Sequence, residues 1–144
     1  MPETVLAFTR ADPDDSRELA GLWQACGLVR AWNDPEKDIA FACENPGSAI
    51  LLARHKGRLA ASVMAGHDGH RGAVYYVSVH PDFQGLGFGK QVMAAAEDWL
   101  RSQGVWKVNL LVRAQNARVR GFYEGLGYQV EERLCMARKL LEEP

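Results

Sequence analysis

Between positions 84 and 91 the chain reads Gln-Gly-Leu-Gly-Phe-Gly-Lys-Gln, three glycines at alternate positions with a lysine after the last. A strand that ends in such a run and enters a helix presents free backbone N–H groups beside the positive end of the helix dipole. Glycine also lets a phosphate approach the backbone closely. The chemistry on offer is anion binding. Two nucleotide cradles fail on residue identity. The dinucleotide fingerprint needs glycine at 90 after Gly85 and Gly87, where Lys90 stands; the P-loop needs glycine at 84 and Ser or Thr at 91, where Gln84 and Gln91 stand.

Other groups could move protons: Tyr123, Glu44, the strand residues Tyr75 and Tyr76, and Asp68, His67 and His70 in a polar loop. Spacing alone puts Tyr123 on one helical face with Val119, Phe122 and Leu126, which is a core pattern. A solitary loop histidine is more often surface than base, and His55 and His80 read as structural or exposed. The three cysteines, Cys26, Cys43 and Cys135, stand in no metal-ligand or disulfide-framework spacing, so no metal is expected and a reducing cytoplasm is the simplest setting.

Elements that could position these groups alternate along the chain. Residues 4–10 read as a first strand. Asp12 and Pro13 open a helix with Leu19, Leu22, Trp23 and Cys26 at i, i+3, i+4, i+7, stopped by Gly27; Asp34 and Pro35 open a second through Ile39 and Cys43. Residues 48–66 predict two strands joined by a tight turn at Lys56 and Gly57, and 66–72 a glycine-rich loop. Residues 73–80 predict a buried strand running into the glycine motif. A helix over 90–103, a strand over 106–113, a helix from Asn116 to a stop at Gly127, and one or two final strands over 129–140 complete the expected order, β-α-α-β-β-β-α-β-α-β.

Composition bounds the function. One domain spanning 1–144 is expected from 144 residues, and a net charge of −1, from 17 basic and 18 acidic residues, leaves no field to gather nucleic acid or an anionic membrane. Any anion must be held locally. No apolar run approaches the length of a membrane span, and the N-terminus has no secretory pattern.

The run Gln84, Gly85, Leu86, Gly87, Phe88, Gly89 matches Q/R-x-x-G-x-G/A, the acyl-CoA pyrophosphate loop of the GNAT acetyltransferases. The preceding strand, the following helix, the strand "KVNLLV" and Asn116 with Tyr123, Glu124, Leu126, Gly127 and Tyr128 extend the match over about 48–130. The chain resembles a GNAT N-acetyltransferase, and the segments "WNDP" at 32–35 and "DGHRG" at 68–72 are similar to a bacterial subgroup of it. The resemblance implies a single α/β (α+β) domain whose mixed sheet splays, at a bulge in the fourth strand, between its fourth and fifth strands. It implies acetyl-CoA as acyl donor, with backbone N–H groups from Gln84 or Gly85 to Lys90 on the pyrophosphate and the Lys90 side chain adding charge. Val77, Ser78 and Val79 would pair with the pantetheine arm, an N–H there, that of Val79, would polarise the thioester carbonyl, and Asn116 would contact the pantetheine.

Tyr123 matches the general acid that protonates the departing sulfur, which reverses the core reading. The family's glutamate on the fourth strand falls at Ala73, so the base stays open among Asp68, His70 and Tyr76, with His67, Glu44, Tyr75 and relayed water behind them. An alkyl amine with a pKa of ~10 must lose a proton before it attacks. The acceptor, a small-molecule or peptide amine, is expected against the variable segments, with Trp32, Asn33, Asp34 and Arg71 as candidates; Asp34 reads equally as a helix cap, and Arg71 with Arg113 would suit a carboxylate-bearing acceptor. A non-catalytic acyl-CoA-binding module is the alternative, and a homodimer through the final strands is compatible.

Overall fold

A computed structural model describes residues 4–142. Five strands, β1 (Phe8–Arg10), β2 (Ser48–His55), β3 (Arg58–His67), β4 (Gly72–Val79) and β5 (Val108–Asn109), form one sheet in sequential order. The first four are antiparallel neighbours, and β5 runs parallel to β4. The helices are α1 (Ser16–Ala25), α2 (Pro35–Glu44), α3 (Phe88–Ser102) and α4 (Ala117–Gly125).

Alternation along the strands builds two cores. Ile50 and Leu52 of β2 join Leu19, Leu22, Trp23 and Ile39 of α1 and α2 on one face. Ala49, Leu51 and Ala53, with Val63 and Ala65 of β3, meet Phe88, Val92, Met93, Ala96 and Leu100 of α3 on the other. Side chains that alternate across a strand and repeat every third and fourth residue on a helix give this three-layer stacking directly.

Local signals account for most boundaries. Asp12 and Asp15 form a capping box over a 3-10 turn, Pro13–Asp15, that leads into α1. The β2–β3 turn has Lys56 and Gly57 at φ 53° and 76°, the left-handed pair a two-residue hairpin requires. Gln91 ties α3 to the N-terminal segment: its Oε1 accepts from the Leu6 N–H at 2.8 Å and its Nε2 donates to the Thr4 carbonyl at 2.7 Å.

Two expectations change. The strand expected over 106–113 is ordered as strand only at Val108–Asn109, because β5 pairs with β4 at Gly72 and Ala73 and nowhere beyond. The final strands expected over 129–140 do not form among the described residues; that segment is exposed, with Leu134 92% and Met136 90% accessible. An alternating sequence becomes a strand only where a ladder partner exists, and none of the described strands lies along it.

Candidate active site

The site begins at a defect in β4. Ser62 of β3 faces Ser78 and Met64 faces Tyr75, so the single residue Val63 opposes both Tyr76 and Val77, which is a β-bulge. Tyr76 carries the turn at φ 53°, a left-handed conformation costly for a tyrosine and one that needs surrounding support. Regular alternation from Val74, which packs toward α3, would send Tyr76 to the same side. The bulge redirects it: Tyr76 packs with the α1 and α2 core, and Tyr75 and Tyr76 line one cavity together.

Support comes from a buried polar chain. The Trp23 ring lies parallel to Tyr76 with centroids 3.8 Å apart, and its Nε1 donates to Ser62 Oγ at 2.9 Å. Ser62 and Ser78 hydroxyls are 2.7 Å apart, and Ser78 Oγ donates to the Ser62 carbonyl at 3.2 Å. Both serines are buried and every hydroxyl is partnered, which specifies the bulge rather than merely tolerating it. The Tyr76 hydroxyl donates to Asp38 Oδ2 of α2 at 2.6 Å. Burial first, and then that carboxylate, push the Tyr76 phenol far above the ordinary tyrosine range.

Beyond Ala73 no strand among the described residues pairs with β4 on its β5 side, so the backbone of residues 74–79 offers an open edge. That edge runs into the glycine loop. The Val79 carbonyl accepts from Gln84 Nε2 at 3.3 Å and from Cys26 Sγ at 3.2 Å, so side chains from the loop and from α1 hold the strand end. Gly85 and Gly87 sit at φ 83° and 80°. Gly89 serves differently: a Cβ there would lie 3.2 Å from Cζ of Phe122, so its absence lets α4 approach α3. Gly87 is the N-cap of α3 and provides no side-chain cap, which leaves the first-turn N–H groups beside Lys90 without that partner. Ser78, Leu86 and Phe88 differ in placement: Ser78 is locked in the polar chain, Leu86 is 47% exposed, and Phe88 is core.

A cavity of about 630 Å³ opens on the α2 side of β4, lined by Trp32, Asn33, Asp38, Phe41, Tyr75, Tyr76 and Arg113 among others. Trp32 and Asn33 are thus brought to it. Asp34 and Arg71 are not: Asp34 Oδ1 caps α2 by accepting from the Glu36 and Lys37 N–H groups, and the Arg71 guanidinium stacks on Trp106, 4.4 Å from the ring centre. Asp68 Oδ1 accepts from the backbone N–H groups of His70 and Arg71, each at 2.8 Å, which lowers the carboxyl below its usual range; neither Asp68 nor His70 lines the cavity.

Tyr123 is half-buried in α4, packed edge-on against Phe122 and Tyr128. Its hydroxyl has no hydrogen-bond partner among the described residues, and burial raises its pKa. The nearby Tyr128 hydroxyl is taken by Glu97 Oε2 at 2.6 Å. Asn116 Oδ1 accepts from the Val119 N–H at 3.2 Å as the cap of α4.

Sequence reasoning missed Asp38. The signal lay in α2: Asp38, Phe41, Ala42 and Asn45 fall at i, i+3, i+4, i+7, a helical stripe with one carboxylate, and all four line the cavity. Among the described residues, no three His, Cys, Asp or Glu side chains group as metal ligands would, and no helix is long and apolar enough to cross a membrane.

The candidate site is thus an α/β arrangement in which a strand edge leads into a glycine-started helix with no side-chain cap, with a solvent-open cavity across the strand. A family model described as Acetyltransferase (GNAT) family matches residues 13–128. An acetyltransferase from Yersinia pestis (strain Pestoides F) is 40% identical over 128 residues, covering 89% of this chain and 91% of the relative. One from Pectobacterium atrosepticum is 39% identical over 130 residues, covering 90% and 92%. Among solved structures, an AAC(6′)-Iy complex with a bisubstrate analogue of CoA superposes with TM-score 0.80 at 18% identity, covering 96% of this chain and all of that one. A ribosomal-protein-alanine N-acetyltransferase from Brucella melitensis gives TM-score 0.74 at 20% identity, covering 94% and 100%. The chain belongs to the acetyltransferase (GNAT) family, and the enzyme is an acetyltransferase.

Proposed function

We propose that residues 1–144 act as one domain, a cytoplasmic enzyme transferring an acetyl group from acetyl-CoA to a primary amine by direct attack on the thioester. The observation that carries this is the continuity of the open 74–79 edge with the uncapped N-terminus of α3. The two together offer hydrogen-bonding backbone to an extended arm and then to a pyrophosphate. The left-handed Gly85 and Gly87 suit such a ligand. Acetyl-CoA supplies the activated acyl group; this chain's residues hold and protonate.

Backbone N–H groups from Gln84 to Lys90, with the Lys90 ammonium, hold the diphosphate. Val77, Ser78 and Val79 pair with the pantetheine arm, with Leu86 and Phe88 framing the loop. The N–H of Val79 donates to the carbonyl oxygen as it gains charge. Asn116 keeps its amide N–H₂ for the arm while its oxygen caps α4. Tyr123, kept protonated by burial and with an uncommitted hydroxyl, gives its proton to the departing sulfur. Tyr76 does not serve as base itself, since its phenol is held protonated against Asp38; the acceptor ammonium gives up its proton to relayed water before it attacks.

Tyr123→Phe tests the assignment. Acetyl-CoA affinity should stay within about twofold, while turnover falls roughly 10²- to 10⁴-fold, the usual worth of a positioned acid. Unchanged thiol release in that variant would remove Tyr123 from the chemistry.

The exposed apolar residues Leu134, Met136, Leu140 and Leu141 beyond the short β5 support a homodimer in which each copy's tail covers the other's sheet edge. Sedimentation velocity of the full chain should give a dimer, and a monomer persisting at tens of micromolar would contradict this.

A further inference from the structure

We propose that Asp38 and Arg113 are the two poles of the acceptor pocket, and that the acceptor is a zwitterionic amine with a flat apolar body, its ammonium on Asp38 and its anionic group on Arg113. The inference rests on the acetyltransferase reading and adds the substrate class.

Among the described residues that line the cavity, Asp38 is the sole carboxylate. It is half-buried and makes no ion pair with any cation among the described residues, although Arg30 and Arg113 line the same space. A carboxylate withdrawn from water is costly without a partner. Its one charge-independent contact is the Tyr76 hydroxyl on Oδ2, which leaves Oδ1 for a ligand. The bulge, the left-handed backbone of Tyr76 and the parallel Trp23 ring all serve to bring that hydroxyl there. A strained residue stacked and bonded from several sides in this way points to a site that must hold its geometry.

The opposite charge is unspent as well. The Arg113 guanidinium has no hydrogen bond or ion pair among the described residues, its backbone carbonyl alone accepting from the Asn116 N–H at 2.9 Å, whereas the Arg30 guanidinium donates to the Gly27 and Val29 carbonyls at 2.6 and 3.3 Å. Between the poles stand aromatic side chains left in the open: Trp32, Phe41 and Tyr75 are 51%, 73% and 53% accessible. Exposed rings around a cavity await an apolar or planar ligand body. A polycation would meet Arg30 and Arg113 as like charges, so the pocket disfavours it.

The test uses the full-length protein and follows CoA thiol release with five acceptors: L-phenylalanine, L-phenylalaninamide, 2-phenylethylamine, 4-(aminomethyl)benzoate and benzylamine. At least one zwitterion should exceed its uncharged-carboxyl counterpart in kcat/KM by tenfold or more. Asp38→Asn retains an oxygen for the Tyr76 hydroxyl, so folding is kept. It should lower kcat/KM for every amine by about a hundredfold with acetyl-CoA affinity unchanged. Arg113→Gln should lower kcat/KM for the zwitterion alone and erase the discrimination. Preference for the amines lacking a carboxylate, equal losses on all five acceptors in Arg113→Gln, full activity in Asp38→Asn, or no turnover of any of the five by a protein that binds acetyl-CoA would each overturn the proposal. Calorimetry separates the two levels: failure of the wild-type protein to bind acetyl-CoA rejects the acetyltransferase reading itself.

Discussion

Gly85 and Gly87 share a left-handed backbone, and the space where a Cβ would stand at Gly85 is open, so conformation rather than crowding selects glycine there. A left-handed L-residue other than glycine costs about 1–2 kcal/mol, less for asparagine. Gly85→Ala should therefore lower unfolding free energy by about 1 kcal/mol and Gly85→Asn by less, measured by urea denaturation; identical losses would mean a steric cause. At Trp23, fully buried, both the ring and the indole N–H are used. Trp23→Phe keeps a ring against Tyr76 but removes the donor to Ser62 and leaves a void. A loss of roughly 2 kcal/mol is expected. No change in the urea midpoint would show that the Trp23–Ser62–Ser78 chain is incidental.

At the scale of elements, β4 and α3 form one functional unit, because the bulge turns Tyr76 toward the cavity beside Tyr75 just before the strand enters the glycine loop. Tyr76→Phe retains the stack and deletes the hydroxyl on Asp38. The acceptor KM should rise about tenfold while the acetyl-CoA Kd stays constant; a change in the acetyl-CoA Kd instead would place Tyr76 on the cofactor side. Much of this unit was legible beforehand. Glycine spacing located the start of α3, and the β2–β3 hairpin followed from Lys56 and Gly57. The bulge was implied by the family resemblance but not by the residues themselves, since "AVYYVSV" alternates acceptably as a plain strand and only its register against Val63 reveals the extra residue. Asp38 stayed hidden for a related reason: its role depends on how α2 packs against Tyr76, a contact 38 positions apart in sequence. The short β5 and the tail over 129–140, which forms no strand, mark the same limit, since a strand pattern does not say which edge will receive it.

Across the whole molecule, charge sets the pH range of stability. The Arg58 and Arg54 guanidiniums hold the Asp82 and Glu18 carboxyls low, and the Lys107 ammonium does so for Glu131. For each, the unfolded state binds the proton more readily, so the stabilisation is present above the ordinary carboxyl range and is lost as pH falls below about 4. These pairs are exposed, and the effect is small. Tyr76, Tyr123 and Tyr128 are raised, chiefly by burial. The native state holds those protons longer, so stability falls as pH climbs past about 10. Thermal midpoints should be flat from about pH 6 to 9 and drop more steeply on the alkaline side; a steeper acid limb would contradict this assignment.

The central claim is that the open edge of β4 and the glycine start of α3 together hold acetyl-CoA. Calorimetric titration of the wild-type protein and of Gly87→Asp with acetyl-CoA, CoA, ATP and NAD addresses it directly. The account predicts selective binding of acetyl-CoA and CoA by the wild type and at least a tenfold loss in Gly87→Asp, where a carboxylate would repel the phosphates. Equal affinity in the variant, or preference for ATP or NAD, would contradict it.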